Sequence, residues 1–500
     1  MIQKVIVLGG GSAGFMAAIA LKAKIPALEV LVIRSKEIGI IGVGEGSTTG
    51  LTRFLHNFLA VHPKKFFDQA QPIWKLGLKF LWGPRRSFNY TFGPGLDSLV
   101  TPMSKRLAYY CDADEAMDNA EVFAAMMARD RVFLRDRRGA MHMHSSFAYH
   151  FENEKFVAYL EQYAGVVGVK MLDDTVRQVT QDDSGITGLN LASGSTQAAD
   201  LYVDCSGFAS VLLSKTLGEP YDSFRSTLFC DRAVIGGWDR GDEPIKPYTT
   251  CETMNSGWAW QIEHEHRINR GYVYCSSFIS DEEAEREFRA ANPKVGPTRV
   301  VPFLTGCYRR NWVNNVVAIG NASGFVEPLE ATALSVIATQ ARMLVGTLID
   351  ADREIRPLHT AYFSDMNRRL WESIRSFIAI HYKFNTRLDT PFWRECREKT
   401  DMASAQAYVD FYLENGPSGY WQQLQLETFD QFGAAGYIAL LVGMKVPHRA
   451  SFRASEGEKK MWGQYAGDNQ QVASDAFDVR QALAAVRSSK WEWPGHMMGQ

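Results

Sequence analysis

The 500-residue sequence predicts an α/β fold, with a Rossmann-like nucleotide-binding module built on a mixed sheet and a largely helical C-terminal module packed against it. Three observations predict this. The apolar run Val5-Ile6-Val7-Leu8 leads into Gly9-x-Gly11-x-x-Gly14 and a helical stretch over 15–24. A second apolar run over 28–33 reads as the next buried strand, which closes a β-α-β unit. Beyond Val316-Val317-Ala318-Ile319-Gly320-Asn321 the pattern turns helical to the end.

Each element of the first unit has a physical task. The glycines permit a tight turn, a close approach of backbone to a pyrophosphate and close packing of the helix, whose N-terminus offers N–H groups and its dipole to the phosphate. The acidic residue expected at the end of the second strand, for a ribose hydroxyl, is replaced by Arg34. Arginine there leaves open a 2′-phosphate ligand such as NADPH, while Glu37 offers the ribose an alternative partner.

Further along, Trp74, Leu76, Leu78, Phe80 and Trp82 alternate with Lys75, Gly77 and Lys79, which predicts an amphipathic strand with both lysines on its polar face. Helices are expected over 103–129 and 153–164, and a strand over 201–204 ending in a small-residue turn. Residues 221–312 carry more strands, among them Gly257-Trp258-Ala259-Trp260, where residues i and i+2 share a face and the two indoles form a rigid wall. The expected division is 1–350 for the nucleotide-binding module, with insertions at about 70–150 and 221–312, and 351–500 for the helical module.

Composition sets bounds on function. A net charge of −2 gives no electrostatic reason to expect nucleic acid or an anionic membrane. The glycine run Gly9-Gly10-Gly11 interrupts the apolar N-terminus too early for a secretion signal, and residues 329–350, the longest apolar candidate, read as a buried helix carrying Glu330 at its start. Seven cysteines with no Cys-x-x-Cys pair suggest neither a disulfide framework nor a zinc site, so a reducing cytoplasm is expected. His142 with His144 and His264 with His266 form two His-x-His pairs without acidic or cysteine partners at ligand spacing, and no metal is expected.

Four blocks now occur in order: Gly9-Gly10-Gly11-Ser12-Ala13-Gly14; Gly42-Val43-Gly44-Glu45-Gly46-Ser47-Thr48; Trp258-x-Trp260-x-Ile262; and 320–330, Gly-Asn-Ala-Ser-Gly-Phe-Val-Glu-Pro-Leu-Glu. His381-Tyr382-Lys383 and Thr390-Pro391-Phe392-Trp393-Arg394 follow. Together they resemble the flavin-dependent halogenases of the tryptophan halogenase family. The resemblance implies an FAD module of the glutathione-reductase and aromatic-hydroxylase type, with Gly9, Gly11, Ser12, Ala13, Gly14, Gly44, Glu45, Trp258, Trp260, Gly320 and Asn321 at the cofactor. It implies that FADH2 meets O2, that a halide ion (chloride or bromide) attacks the flavin hydroperoxide, and that hypohalous acid passes through a tunnel to a lysine beside the aromatic substrate.

Lys79 matches that lysine and Glu330 the family's catalytic glutamate. An amine with three donors suits a small oxidant that must be held at one ring carbon, and a carboxylate suits the cationic ring that must then lose a proton. Thr332 and Ala333 match the halide-binding pair, with alanine where glycine is common; Glu263 replaces a proline after the tryptophan motif. Phe92 matches a residue flanking the substrate ring, and Tyr90 stands where the tryptophan enzymes have histidine, so an indole-type ring other than free tryptophan is expected. No second Gly-x-Gly-x-x-Gly follows a strand, so a separate flavin reductase is the implied partner. The rival readings are an FAD-dependent aromatic hydroxylase, which Arg34 fits and the tryptophan wall does not, and a flavoprotein that only binds a ligand, which Lys79 and Glu330 argue against.

Overall fold

The computed structural model describes residues 1–39, 44–93, 118–119, 121–418, 426, 430–450 and 454–498. Its mixed α/β architecture grows from the predicted first unit. Strand Lys4–Leu8 lies between Glu29–Arg34 and Leu201–Asp204, with Lys170–Asp173 and Val316–Ala318 outside them, all parallel. Trp312–Val313 adds an antiparallel edge. Parallel strands need both faces covered, and helix Ser12–Lys24 does this on one side: every residue from Phe15 to Leu21 is buried.

Helix Ala333–Asp350 packs against Ser12–Lys24 in the same core, although it alone among the described residues is long and apolar enough to cross a membrane. The apolar stretch does not run unbroken from 329. Pro328–Glu330 is a single 3-10 turn, Ala331 takes a left-handed φ of 55°, and the long helix starts at Ala333. Glu330 therefore sits on the turn before this helix, because a left-handed residue cannot continue a right-handed helix. The helix expected over 103–129 falls mostly outside the described residues, which show Val122–Met127.

A second, seven-stranded sheet runs in the order Arg299–Pro302, Arg232–Asp239, Arg267–Tyr274, Gly257–Glu263, Thr249–Met254, Gly77–Leu81, Phe88–Thr91. Its apolar face, bearing Trp258, Trp260, Phe80 and Phe88, forms one core with Pro357–Phe384, Pro391–Lys399, Ala405–Asn415 and Gly433–Gly443. A small third sheet joins Glu45–Gly46, Ala148–Phe151 and Ile73–Lys75. The chain passes from the third sheet to the second at Leu76, whose N–H donates to Pro247 O at 2.7 Å and whose carbonyl accepts from Phe92 N at 2.7 Å. The C-terminal segment returns to the first core: Ala473, Val479, Leu483 and Met497 are buried there, with Trp493 packed beside them.

Candidate active site

The glycine loop is shaped as its spacing requires. A Cβ on Gly14 would lie 1.9 Å from Gly9 O, and one on Gly9, at φ 127°, would lie 2.2 Å from Cys205 O, so only glycine fits at either place. Gly11, by contrast, faces open space, and the helix it precedes has no capping side chain. Its first N–H groups therefore remain available to an anion. Ser12 Oγ is 3.3 Å from Asn153 Oδ1, and Ala13 packs against Gly320, whose N–H is held by Gln340 Oε1 at 2.7 Å. Asn321 follows on the same short turn, Gly320–Ala322. Arg34 is already committed: it pairs with Glu161 and its side-chain carbons cover Gly10.

The second glycine block runs beneath the tryptophan strand. Gly44, at φ 98°, leaves no room for a side chain against His264 Nε2. Burial pushes the Glu45 carboxyl up to about 7. Gly42 and Val43 lie outside the described residues. At Gly46 a Cβ would meet Ala331 at 3.0 Å and the ammonium of Lys75 at 3.5 Å, which brings this loop, the 328–331 turn and Lys75 to one point.

That point differs from the expected one. Lys75, the last residue before the chain changes sheets, is fully buried, and its Nζ donates to Ser47 O at 3.1 Å. Its Nζ also lies 5.3 Å from the centre of the Phe92 ring. Desolvation lowers its pKa to about 8, against the upward pulls of Glu330 and Cys251. Lys79 is four residues further along, up to about 13 Å at the rise of a strand, where it is part-exposed over the Tyr248 ring at 5.7 Å. The two lysines do not share one strand face as the alternation predicted: Lys75 ends the small third sheet and Lys79 lies in the seven-stranded one, because the chain changes sheets between them. Lys75 is the one that is fully buried and within electrostatic reach of Glu330.

Glu330 is buried, with Oε1 2.8 Å from His381 Nε2, while His381 Nδ1 lies 3.2 Å from Phe377 O. Cys251 Sγ approaches Leu329 O at 3.7 Å, so the turn is held from the sheet side too. Thr332 forms the start of helix Ala333–Asp350 and supplies no side-chain cap, leaving the first-turn N–H groups of Ala333 and its successors for another acceptor. Tyr90 donates to Phe432 O at 3.1 Å and is raised well above its ordinary pKa by burial, then by Glu330. Its ring is thus held in place, with Phe92 and Phe377 at 6.3 and 6.0 Å.

The tryptophan wall forms as the i, i+2 spacing predicts. Trp260 lies flat over Gly271, where a Cβ would come within 2.6 Å of its ring, and the Trp258 N–H donates to Glu327 Oε2 at 2.6 Å. Glu263, the departure from proline, is fully buried in an ion pair with Arg240 and also accepts from Gln261 Nε2 at 2.7 Å. Arg240 in turn donates to His264 O at 3.0 Å and Pro244 O at 2.8 Å, so the pair closes the loop that a proline would stiffen. The His-x-His pairs are split: His142 and His266 are exposed, while burial drives His144 and His264 down to about 3.

With this geometry, comparison with known proteins is decisive: the tryptophan halogenase family model matches residues 4–457. The chain belongs to the tryptophan halogenase family. Among relatives, it is 30% identical over 479 residues to tryptophan 7-halogenase RebH of Lentzea aerocolonigenes, covering 89% of each chain. It is 31% identical over 449 residues to tryptophan 6-halogenase ThaL of Streptomyces albogriseolus, covering 83% of each. Among solved structures, MibH, a lanthipeptide tryptophan 5-halogenase, superposes with a TM-score of 0.88 at 35% identity over 98% of this chain and 96% of that one. BrvH, a flavin-dependent halogenase from Brevundimonas sp. BAL3, gives 0.85 at 26% identity over 98% and 100%. This member of the tryptophan halogenase family is accordingly a flavin-dependent halogenase that acts on an aromatic ring. Sequence reading did not anticipate that Lys75, Ser47 and His381 would gather around Glu330 and the 328–331 turn; the burial of Lys75 had a cue in its apolar neighbours Trp74 and Leu76.

Proposed function

We propose that this chain chlorinates or brominates an indole-type ring, with Lys75 holding the halogen donor and Glu330 receiving the ring proton. The observation that carries this reading is the buried Lys75 ammonium, coupled to Glu330 and set over Phe92. FAD, reduced by a separate reductase and fed with O2, supplies the oxidation of halide to hypohalous acid. The residues fit that cofactor: the open face at Gly11, the uncapped helix Ser12–Lys24 and the tight Gly44 turn form a cradle of the glutathione-reductase and aromatic-hydroxylase type. Residues 1–350 form the FAD module on this reading, with the 473–497 segment packed onto it, and the helices from Pro357–Phe384 to Gly433–Gly443 complete the substrate side.

Each residue then has a defined task. One donor of the Lys75 ammonium is spent on Ser47 O, which leaves two to polarise the oxidant next to one ring carbon. Phe92 and Tyr90 supply apolar faces for a planar ring. Glu330, out of water, stabilises the cationic ring and takes its proton; His381 fixes which oxygen does so. The start of helix Ala333–Asp350, at Thr332 and Ala333, offers halide its backbone N–H groups. With FAD bound in the glycine cradle, the indole wall would stand between it and the ring at Lys75, which would favour a diffusing oxidant over direct hydroxylation. Six free, buried cysteines among the described residues suit a reducing cytoplasm.

The test uses purified protein with FAD, a flavin reductase, NADH, bromide or chloride, and a panel of indole, tryptophan, tryptophan-containing peptides, phenols and pyrroles. Haloindole by mass spectrometry, lost in Lys75→Ala with flavin oxidation intact, supports the reading. Hydroxyindole as the sole product refutes it.

A further inference from the structure

Glu327 lies three residues before Glu330 and has no exposed surface. Its Oε2 accepts from both the Trp258 N–H, at 2.6 Å, and the Tyr382 hydroxyl, which also approaches Cys230 Sγ at 3.3 Å. Its Oε1 has no hydrogen-bond partner among the described residues. Desolvation pushes this carboxyl up to about 7, while its two donors pull it down. A carboxyl with one orphan oxygen is a poor core residue, since an apolar side chain of like volume would pack there without that loss. Its placement calls for a task.

The two halves of the indole wall are fixed by different means. Trp260 is fixed by shape, lying on Gly271. Trp258 is fixed at its N–H, a donor with no acceptor capacity, so turning the ring away from Glu327 strands that donor in an apolar core. The same turn of chain grips one helix twice: Glu327 binds Tyr382 and Glu330 binds His381, consecutive residues of Pro357–Phe384. We propose that Glu327 is a positioning residue of the wall: by holding Trp258 through its N–H it keeps the partition between flavin and substrate closed. This rests on the halogenase reading above. Reduced flavin and O2 yield either oxidised flavin, hypohalous acid and water, consuming one halide and one proton, or oxidised flavin and hydrogen peroxide. A loosened wall admits water and shifts the balance to peroxide.

The experiment has two arms. In flavin-free protein labelled with 15N at the indole nitrogens, Trp258 is assigned by its absence in Trp258→Phe; its N–H resonance is expected to lie far downfield and to move upfield in Glu327→Gln. With FAD, reductase and bromide, the fraction of NADH recovered as bromoindole is expected to fall about tenfold in Glu327→Gln, as expected for a weakened charge-assisted bond. The lost equivalents should appear as peroxide, with the KM for indole and the FAD affinity unchanged. Trp258→Phe, which keeps an aromatic six-membered ring and removes the donor, should do the same, and the double variant should be no worse than the poorer single one. An unmoved resonance, additive losses or unchanged coupling in a folded Glu327→Gln protein overturns the proposal. If the unaltered protein makes no haloindole while the resonance moves, the halogenase reading fails and the hydrogen bond stands.

Discussion

Replacing Lys75 by methionine separates the lysine's chemistry from its cost to the fold. Folding takes this ammonium from a pKa of 10.5 to about 8 by desolvation. At ~1.4 kcal/mol per unit, the charged form carries a penalty of about 3 kcal/mol in the folded state. A lysine with a lowered folded pKa is penalised while protonated, so the penalty is full below pH 8 and gone above 10.5. Methionine keeps an unbranched chain, removes the charge and gives up the bond to Ser47, worth about 1 kcal/mol. Lys75→Met is therefore expected to be more stable than the parent by about 2 kcal/mol at pH 7, an advantage that shrinks between pH 8 and 10.5. Bromoindole formation is expected to fall by about a thousandfold, within the usual range for removing a positioned proton donor. Lys79→Met is expected to change the rate by about twofold at most. Urea unfolding at pH 7 and 10.5, beside product analysis, checks all three. A less stable Lys75→Met protein, or one that still halogenates, refutes the reasoning, as does loss of product in Lys79→Met.

With the Lys75 ammonium as the proposed donor, halogenation at saturating substrate should decline as pH rises through about 8, measured as initial rate of bromoindole; a rise through that range means that the free amine is the reacting form. Glu330→Gln keeps the contact to His381 but cannot take a proton, and its kcat is expected to fall by about a hundredfold or more. Glu263→Leu leaves Arg240 buried without its partner and is expected to cost about 3–5 kcal/mol in urea unfolding, with Arg240→Met added back recovering most of it. Ala333→Gly leaves every backbone donor in place, so the KM for bromide should stay within about twofold.

The first unit of the fold was legible because strand, glycine turn and helix occur within one local stretch: Val5 to Lys24 forms as the pattern requires. The indole wall was legible for the same reason, since pleat alone puts Trp258 and Trp260 on one face. The choice between Lys75 and Lys79 was not, because alternation treats them alike. What distinguishes them is the change of sheet at Leu76, set by Pro247 and Phe92, residues remote in sequence. The start of the 333–350 helix was misplaced because Pro328 and an apolar run suggested continuity, whereas Ala331 takes a left-handed conformation that no residue type there announces. The roles of Glu327 and His381 depend on a helix some 50 residues away meeting the 327–330 turn in one register.

The return of the 473–497 segment to the first core links it through packed rings to Lys75. Trp493 packs on Phe67 at 5.1 Å, Phe67 on Trp74 at 4.9 Å, and Trp74 immediately precedes Lys75. Three rings thus connect Trp493 to the immediate neighbour of Lys75. Removing Trp493, or crowding it with an affinity tag, is therefore an intervention on the strand that carries Lys75, made from a segment more than 400 residues away.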